Sequence, residues 1–338
     1  MKKLISLICV LAMVLALAAC GSSAPAAATE APAASTEAPA EDVSTDKTFV
    51  VGICQLVQHP ALDAATQGFK DALTEALGDK VTFQEQNASG DSATCSLICN
   101  QFVSDEVDLI MANATASIQA AASATNTIPI LGTSITDYGV ALGVDNWTGV
   151  SGTNISGTSD LAPLDGQAAM IQELFPDAKT IGLLYCSGEP NSIFQADSME
   201  ALLTDMGYSV ERYTFADSND VSSVTANACS NSDVLYIPTD NTAASCTEAI
   251  NNVALSAGIP IVAGEEGIAS GCGAATLSIS YYDLGRATGE MAAEILTGGA
   301  DVSTMEVRFA PAFTKEYNAD ICETLNITVP EDYVAIAK

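Results

Sequence analysis

The chain has 338 residues, 48% of them apolar, enough to bury substantial cores in about two domains. Asp and Glu number 42 against 11 Lys and Arg, a net charge of −31, which repels phosphate backbones and excludes nucleic acid as a partner. A single histidine leaves little from which to build His-rich metal sites or most His-based catalysis.

In chain order, Lys2 and Lys3 precede an apolar run from Leu4 to Ala19, shorter than the ~20 residues a spanning helix needs and laid out like a secretory signal. Leu17-Ala18-Ala19-Cys20 followed by Gly21 resembles the bacterial lipobox, which implies removal of 1–19 and lipidation of Cys20. Residues 20–47 are rich in Ala, Pro, Thr and Glu and repeat Thr29-Glu30-Ala31-Pro32-Ala33 as Thr36-Glu37-Ala38-Pro39-Ala40. Such a segment has almost nothing to bury, so a disordered, lipid-anchored tether is expected, with the protein outside the cytoplasm and held to the membrane only by its lipid.

From Thr48 the pattern alternates. Thr48–Leu56 reads as a doubly covered strand, and Pro60–Gly78 as a helix with Leu62, Ala65, Phe69, Leu73 and Ala76 on one face. A strand at Val81–Gln86, a helix opened by Asp91, strand Val107–Ala112, a helix from Thr115 and strand Ile128–Leu131 follow. A second series begins after about Asn154: helix Leu161–Phe175, strand Thr180–Tyr185, helix Ser192–Met206, strand Ser209–Phe215, helix Val221–Ser230, strand Val234–Ile237, helix Thr242–Ala257 and strand Ile259–Ala263. A strand near Ala275–Ile279, a helix at Asp283–Leu296, a strand near Met305–Phe309 and a short terminal helix complete the chain. The expected fold class is α/β, two doubly wound parallel-sheet lobes joined by three crossings near 154–159, 278–282 and 298–303. The first lobe is expected over 48–155 plus 280–300, the second over 156–279 plus 301–338.

Cys54, Cys95, Cys99, Cys186, Cys229, Cys246, Cys272 and Cys322 mostly fall inside apolar patterns, so buried free thiols are expected. Cys95 and Cys99 share a helix face, yet no second Cys pair or histidine accompanies them, and no metal is expected.

Ligands of doubly wound sheets sit beyond the carboxyl ends of the strands. Those ends carry polar bursts: Gln55 with His59-Pro60, Asn113-Ala114-Thr115, Thr133 to Asp137, Ser187 to Ser192, Thr239-Asp240-Asn241 and Gly264-Glu265-Glu266-Gly267. Any one of them is most simply a helix cap; six on the same edge point to a cleft.

Gly52-Ile53-Cys54-Gln55 with His59-Pro60-Ala61-Leu62-Asp63-Ala64-Ala65 resembles the opening of ABC transporter substrate-binding lipoproteins of the tryptophan/tyrosine-binding type. Gly157-Thr158-Ser159-Asp160-Leu161, Asn191-Ser192, Pro238-Thr239-Asp240-Asn241-Thr242, Ala263-Gly264-Glu265-Glu266-Gly267 and Tyr281-Tyr282-Asp283-Leu284-Gly285-Arg286 extend the resemblance over nearly the whole body. It implies a type I periplasmic-binding fold, a monomer that delivers a small molecule to an ABC permease and ATPase pair, and no cofactor. Cys54, Cys95 and Cys99 stand where small or aliphatic residues are expected.

The candidate ligand-binding residues are Gln55, His59, Thr115, Asp137, Asp160, Asn191, Ser192, Asp240, Asn241, Glu265 and Glu266. No arginine falls in a strand-end turn, which argues against a strongly anionic ligand and for a zwitterion. Its carboxylate would sit on helix N-termini and hydroxyls, its ammonium on Asp240 or Asp137, so that Asp240→Asn weakens binding and spares folding. Tyr138, Tyr185, Phe194 and Tyr281 are the aromatic candidates. A sugar or nucleoside ligand and a signalling receptor of the same fold are the rival readings. A hydrolase is weaker, because G-x-S-x-G, H-E-x-x-H, P-loop and G-x-G-x-x-G are all missing and Glu265-Glu266 are adjacent.

Overall fold

A computed structural model describes residues 47–337; the signal, Cys20 and all but the last residue of the tether lie outside them. The first lobe runs β1 (Phe49–Gln55), α1 (Pro60–Leu77), β2 (Val81–Asn87), α2 (Ser92–Ser104), β3 (Leu109–Asn113), α3 (Thr115–Ala124), β4 (Ile130–Ile135), α4 (Tyr138–Leu142) and β5 (Ile155–Ser159). The second runs α5 (Leu164–Leu174), β6 (Thr180–Cys186), α6 (Pro190–Asp205), β7 (Ser209–Phe215), α7 (Val221–Asn231), β8 (Val234–Ile237), α8 (Asn241–Ser245), α9 (Thr247–Ala257), β9 (Ile261–Ala263), α10 (Glu266–Gly271) and β10 (Ala275–Ser278). Then come α11 (Tyr281–Gly298), β11 (Arg308–Phe309), β12 (Thr314–Tyr317), α12 (Ala319–Leu325) and β13 (Val334–Ala335).

The strands form two sheets, ordered β11-β5-β4-β3-β1-β2 and β13-β12-β10-β9-β8-β6-β7. All pairs are parallel except β10 with β12. Central strands β3 and β4 are buried at every residue, the reason they read as unbroken apolar runs rather than alternations. Among the described residues no helix is long and apolar enough to cross a membrane.

Two crossings fall later in the chain than the sequence suggested. β5 belongs to the first sheet through Ser159, and β11 pairs with it there, Arg308 opposite Thr158 and Phe309 opposite Ser159. The chain therefore leaves the first sheet after Ser159 and again after Phe309, so the strand at 308–309, expected in the second lobe, is an edge strand of the first.

Helix α11 returns from β10 to lie against α1, and the two backbones nearly touch. A Cβ at Gly68 would collide with the Tyr282 carbonyl oxygen, and one at Gly285 with that of Ala65. On the opposite face of the first sheet, the buried Tyr138 hydroxyl lies 3.1 Å from both Gly132 O and Thr158 O, and its ring stacks on Trp147 at 5.8 Å.

Candidate functional site

Between the carboxyl ends of the two sheets lies a small, largely closed cavity whose free space of about 10 Å³ is roughly that of one water. His59, Leu62, Ser134 and Thr136 line it from the first lobe, and Asn191, Thr239, Asp240, Asn241, Ala244 and Glu265 from the second. Asp160 and Tyr281 enter from the first and second crossings. The lobes meet across it: His59 Nε2 is 3.4 Å from Asn241 Oδ1, and the Thr136 and Thr239 hydroxyls are 3.4 Å apart.

Three buried polar atoms of the lining have no hydrogen-bond partner: Asp160 Oδ1, Ser134 Oγ and His59 Nδ1. Such atoms are costly unless something fills the site. Asp160 follows β5 directly, and its other oxygen accepts the Tyr281 hydroxyl at 2.9 Å. Burial raises its pKa, and the nearby Tyr281 and Thr136 hydroxyls offset part of that rise. Ser134 sits on a bulge of β4 with φ +56°, a left-handed conformation uncommon for a serine.

The tautomer of His59 follows from its neighbours. Asn241 gives its amide N–H to Glu189 at 2.7 Å, so its oxygen faces the imidazole. His59 Nε2–H is then the donor, and Nδ1 is left as a bare acceptor. Burial lowers the His59 pKa, which keeps the ring neutral. The cavity thus offers one carboxylate oxygen, one hydroxyl and one neutral acceptor, with no cationic side chain in its lining.

Asp240 lines the cavity but is saturated. It accepts Cys186 N at 2.7 Å, the Ser192 hydroxyl at 2.7 Å and Ala243 N at 2.7 Å, which makes it the cap of α8 and a tie to β6. The cavity is not lined by Asp137, Ser192, Gln55, Thr115 or Glu266. Asp137 caps α4 through Val140 N at 2.7 Å, and Ser192 stands behind Asp240. Gln55 spends its amide on Val57 O, Asp63 and Thr66. Thr115 is buried in the first turn of α3, and Glu266 faces a separate groove beside Tyr282. Asn191 lines the cavity while donating to Thr239 O at 3.0 Å, and Glu265 lines it while capping α10 through Gly267 N and Ile268 N. Of the four aromatic candidates only Tyr281 reaches the site; Tyr138, Tyr185 and Phe194 do not line it.

Buried acids with raised pKa values set the direction of the pH response. Burial pushes Glu265 from its ordinary 4.5 up to about 7, and raises Asp160 and Asp240 as well, the latter also through the charge of Glu189. For a carboxyl whose folded pKa lies above its unfolded value, the stabilisation is complete below the unfolded pKa and is lost as pH rises through the folded one. The thermal midpoint of the ligand-free protein is therefore expected to be higher at pH 5 than at pH 8, and Glu265→Gln to shrink the difference. A midpoint that rises between those values would show these acids to be ionised without cost.

Two lobes of parallel sheet hinged about a buried cleft define a small-molecule binding protein of the type I periplasmic-binding fold. The profile of the ABC transporter substrate binding protein family matches residues 50–338, and the chain belongs to that family. It is 40% identical over 251 residues to the tyrosine-binding protein of Clostridioides difficile, covering 73% of this chain and 72% of that protein. The structure of an ABC domain in complex with L-Trp from Streptococcus pneumoniae superposes with a TM-score of 0.82 at 31% identity, over 86% of this chain and 100% of that one. The ligand-free, open structure of a substrate-binding protein with adhesive properties from Clostridium difficile gives 0.66 at 38% identity, over 86% of this chain and 100% of that one. The better fit to the ligand-bound form, despite lower identity, agrees with the inter-lobe contacts: the lobes are closed on one another. Substrate-binding proteins of ABC transporters work outside the cytoplasm.

Proposed function

We propose that the cleft captures one aromatic amino acid, tyrosine or tryptophan, and that the closed form presents it to an ABC permease and its ATPase. The observation that carries this reading is the unpartnered Oδ1 of Asp160, a buried carboxylate oxygen at the hinge that a ligand ammonium would satisfy. Ser134 Oγ and Thr136 offer hydroxyls to the carboxylate, and His59 Nδ1 accepts a phenol or indole hydrogen. The tyrosine-binding relative and the L-Trp complex support the same ligand class. Contacts from both lobes favour the closed state, and no chemical step is required. Cys20 serves as the lipid anchor, the segment that follows as a tether, and the body acts as a monomer.

A thermal-shift screen against amino acids, sugars and nucleosides tests this. Ligand at 100-fold its Kd adds about 2.7 kcal/mol, a clear rise in midpoint. A rise confined to tyrosine, tryptophan or phenylalanine is expected; a rise with sugars or nucleosides alone would overturn the amino-acid assignment.

A further inference from the structure

Three thiols gather at one point of the first lobe, away from the cleft chemistry. Helix α2 lies directly on β1, since a Cβ at Gly52 would press into the Phe102 ring. Two residues along the strand, Cys54 points to the same side as position 52, while Cys99 and Cys95 stand one and two turns back from Phe102 on one helix face. A βα unit runs its helix antiparallel to its strand, so the carboxyl end of β1 meets the start of α2. Cys54, Cys95 and Cys99 are each 0% exposed. The Cys54 and Cys95 sulfurs both lie 3.6 Å from the Ser117 hydroxyl of α3. Cys95 and Cys99 both act on the Cys54 thiol, which is pushed up to about 12.

We propose that Cys54 and Cys95 are an oxidisable pair that closes into a disulfide when the chain folds outside the cytoplasm. The oxidant is a low-molecular-weight disulfide of the glutathione type. The Cys95 thiolate attacks one of its sulfurs and expels the first small thiol; the Cys54 thiolate then attacks the Cys95 sulfur and expels the second. The two cysteines lose two protons and two electrons, and the oxidant gains them as two thiols. Burial of both sulfurs makes them poor nucleophiles in the native state, so exchange happens during folding. The staple would clamp the strand end that leads into His59, and it closes a loop of about 40 residues, which restricts the unfolded chain.

The test is to unfold the full chain, refold it in mixed oxidised and reduced glutathione, alkylate the free thiols and map the peptides. The expected result is a Cys54–Cys95 link with Cys99 alkylated, and a thermal midpoint about 5 °C or more above that of the reduced chain. Cys95→Ser should lose both effects and Cys99→Ser neither. Alkylation of Cys54 and Cys95 alike, or a Cys54–Cys99 link, would overturn the assignment. Mapping of the unsubstituted chain decides the matter even where a serine variant folds poorly.

Discussion

Asp160→Asn is expected to weaken tyrosine binding at least 100-fold by calorimetry while leaving the thermal midpoint of the ligand-free protein unchanged or raised. A buried charge that loses its partner costs about 2–5 kcal/mol, and here the ammonium would lose the only unpartnered carboxylate oxygen in the lining. The ligand-free protein gains instead, because Asn keeps an oxygen for the Tyr281 hydroxyl without the cost of burying a charge. Asp240→Asn should behave in the opposite way. Three donors converge on that carboxylate, and an amide presents an N–H to one of them, so folding stability falls by about 2–3 kcal/mol. Unchanged affinity in Asp160→Asn, or intact stability with lost affinity in Asp240→Asn, would return the anchor to Asp240.

Gly285→Ala and Gly68→Ala are each expected to cost about 3 kcal/mol in denaturant unfolding. In an exposed helix the same change gains about 1 kcal/mol, so the sign itself reports the packing. At both positions the new methyl would meet a backbone carbonyl of the opposite helix, which cannot swing aside as a side chain can. Gly298, in the last turn of α11 with nothing near its would-be Cβ, is the internal control: Gly298→Ala should be neutral or slightly stabilising. Equal effects at all three positions would show that α1 and α11 have room to separate.

The alternation of strand and helix was legible because doubly covered strands such as β3 and β4 are apolar throughout, and the helices between them carry a clear face. The last part of the chain was not. β12, Thr-Lys-Glu-Tyr, is polar and pairs antiparallel at the side of the second sheet, and β11 and β13 are two residues each. Their positions are set by long-range pairing that no local pattern carries. α8 and α9 read as one helix, since the break at Cys246 leaves no proline or glycine to mark it.

The site was legible as a set of turns, and six of the eleven candidate residues line the cavity. The order within that set was hidden. Asp137, Asp160 and Asp240 all follow strands, and the same residue type serves there either as a cap or as a contact. Only the count of donors already spent on each oxygen separates them. Ser134 lies inside the polar Thr133–Asp137 burst but nothing there singles it out, because its place at the cleft comes with an irregular β4–β5 register.

The hydroxyl of Tyr138 lies between the two strands whose ends carry Ser134 and Asp160, and Trp147 lies flat on the same ring. That indole is the only one in the sequence. Its emission is therefore a built-in optical gauge of the first-lobe wall: a shift of β4 against β5 as a ligand is captured alters the surroundings of a single fluorophore. Were capture to move β4 against β5, a ligand without an indole of its own would be followed by light, with no label attached.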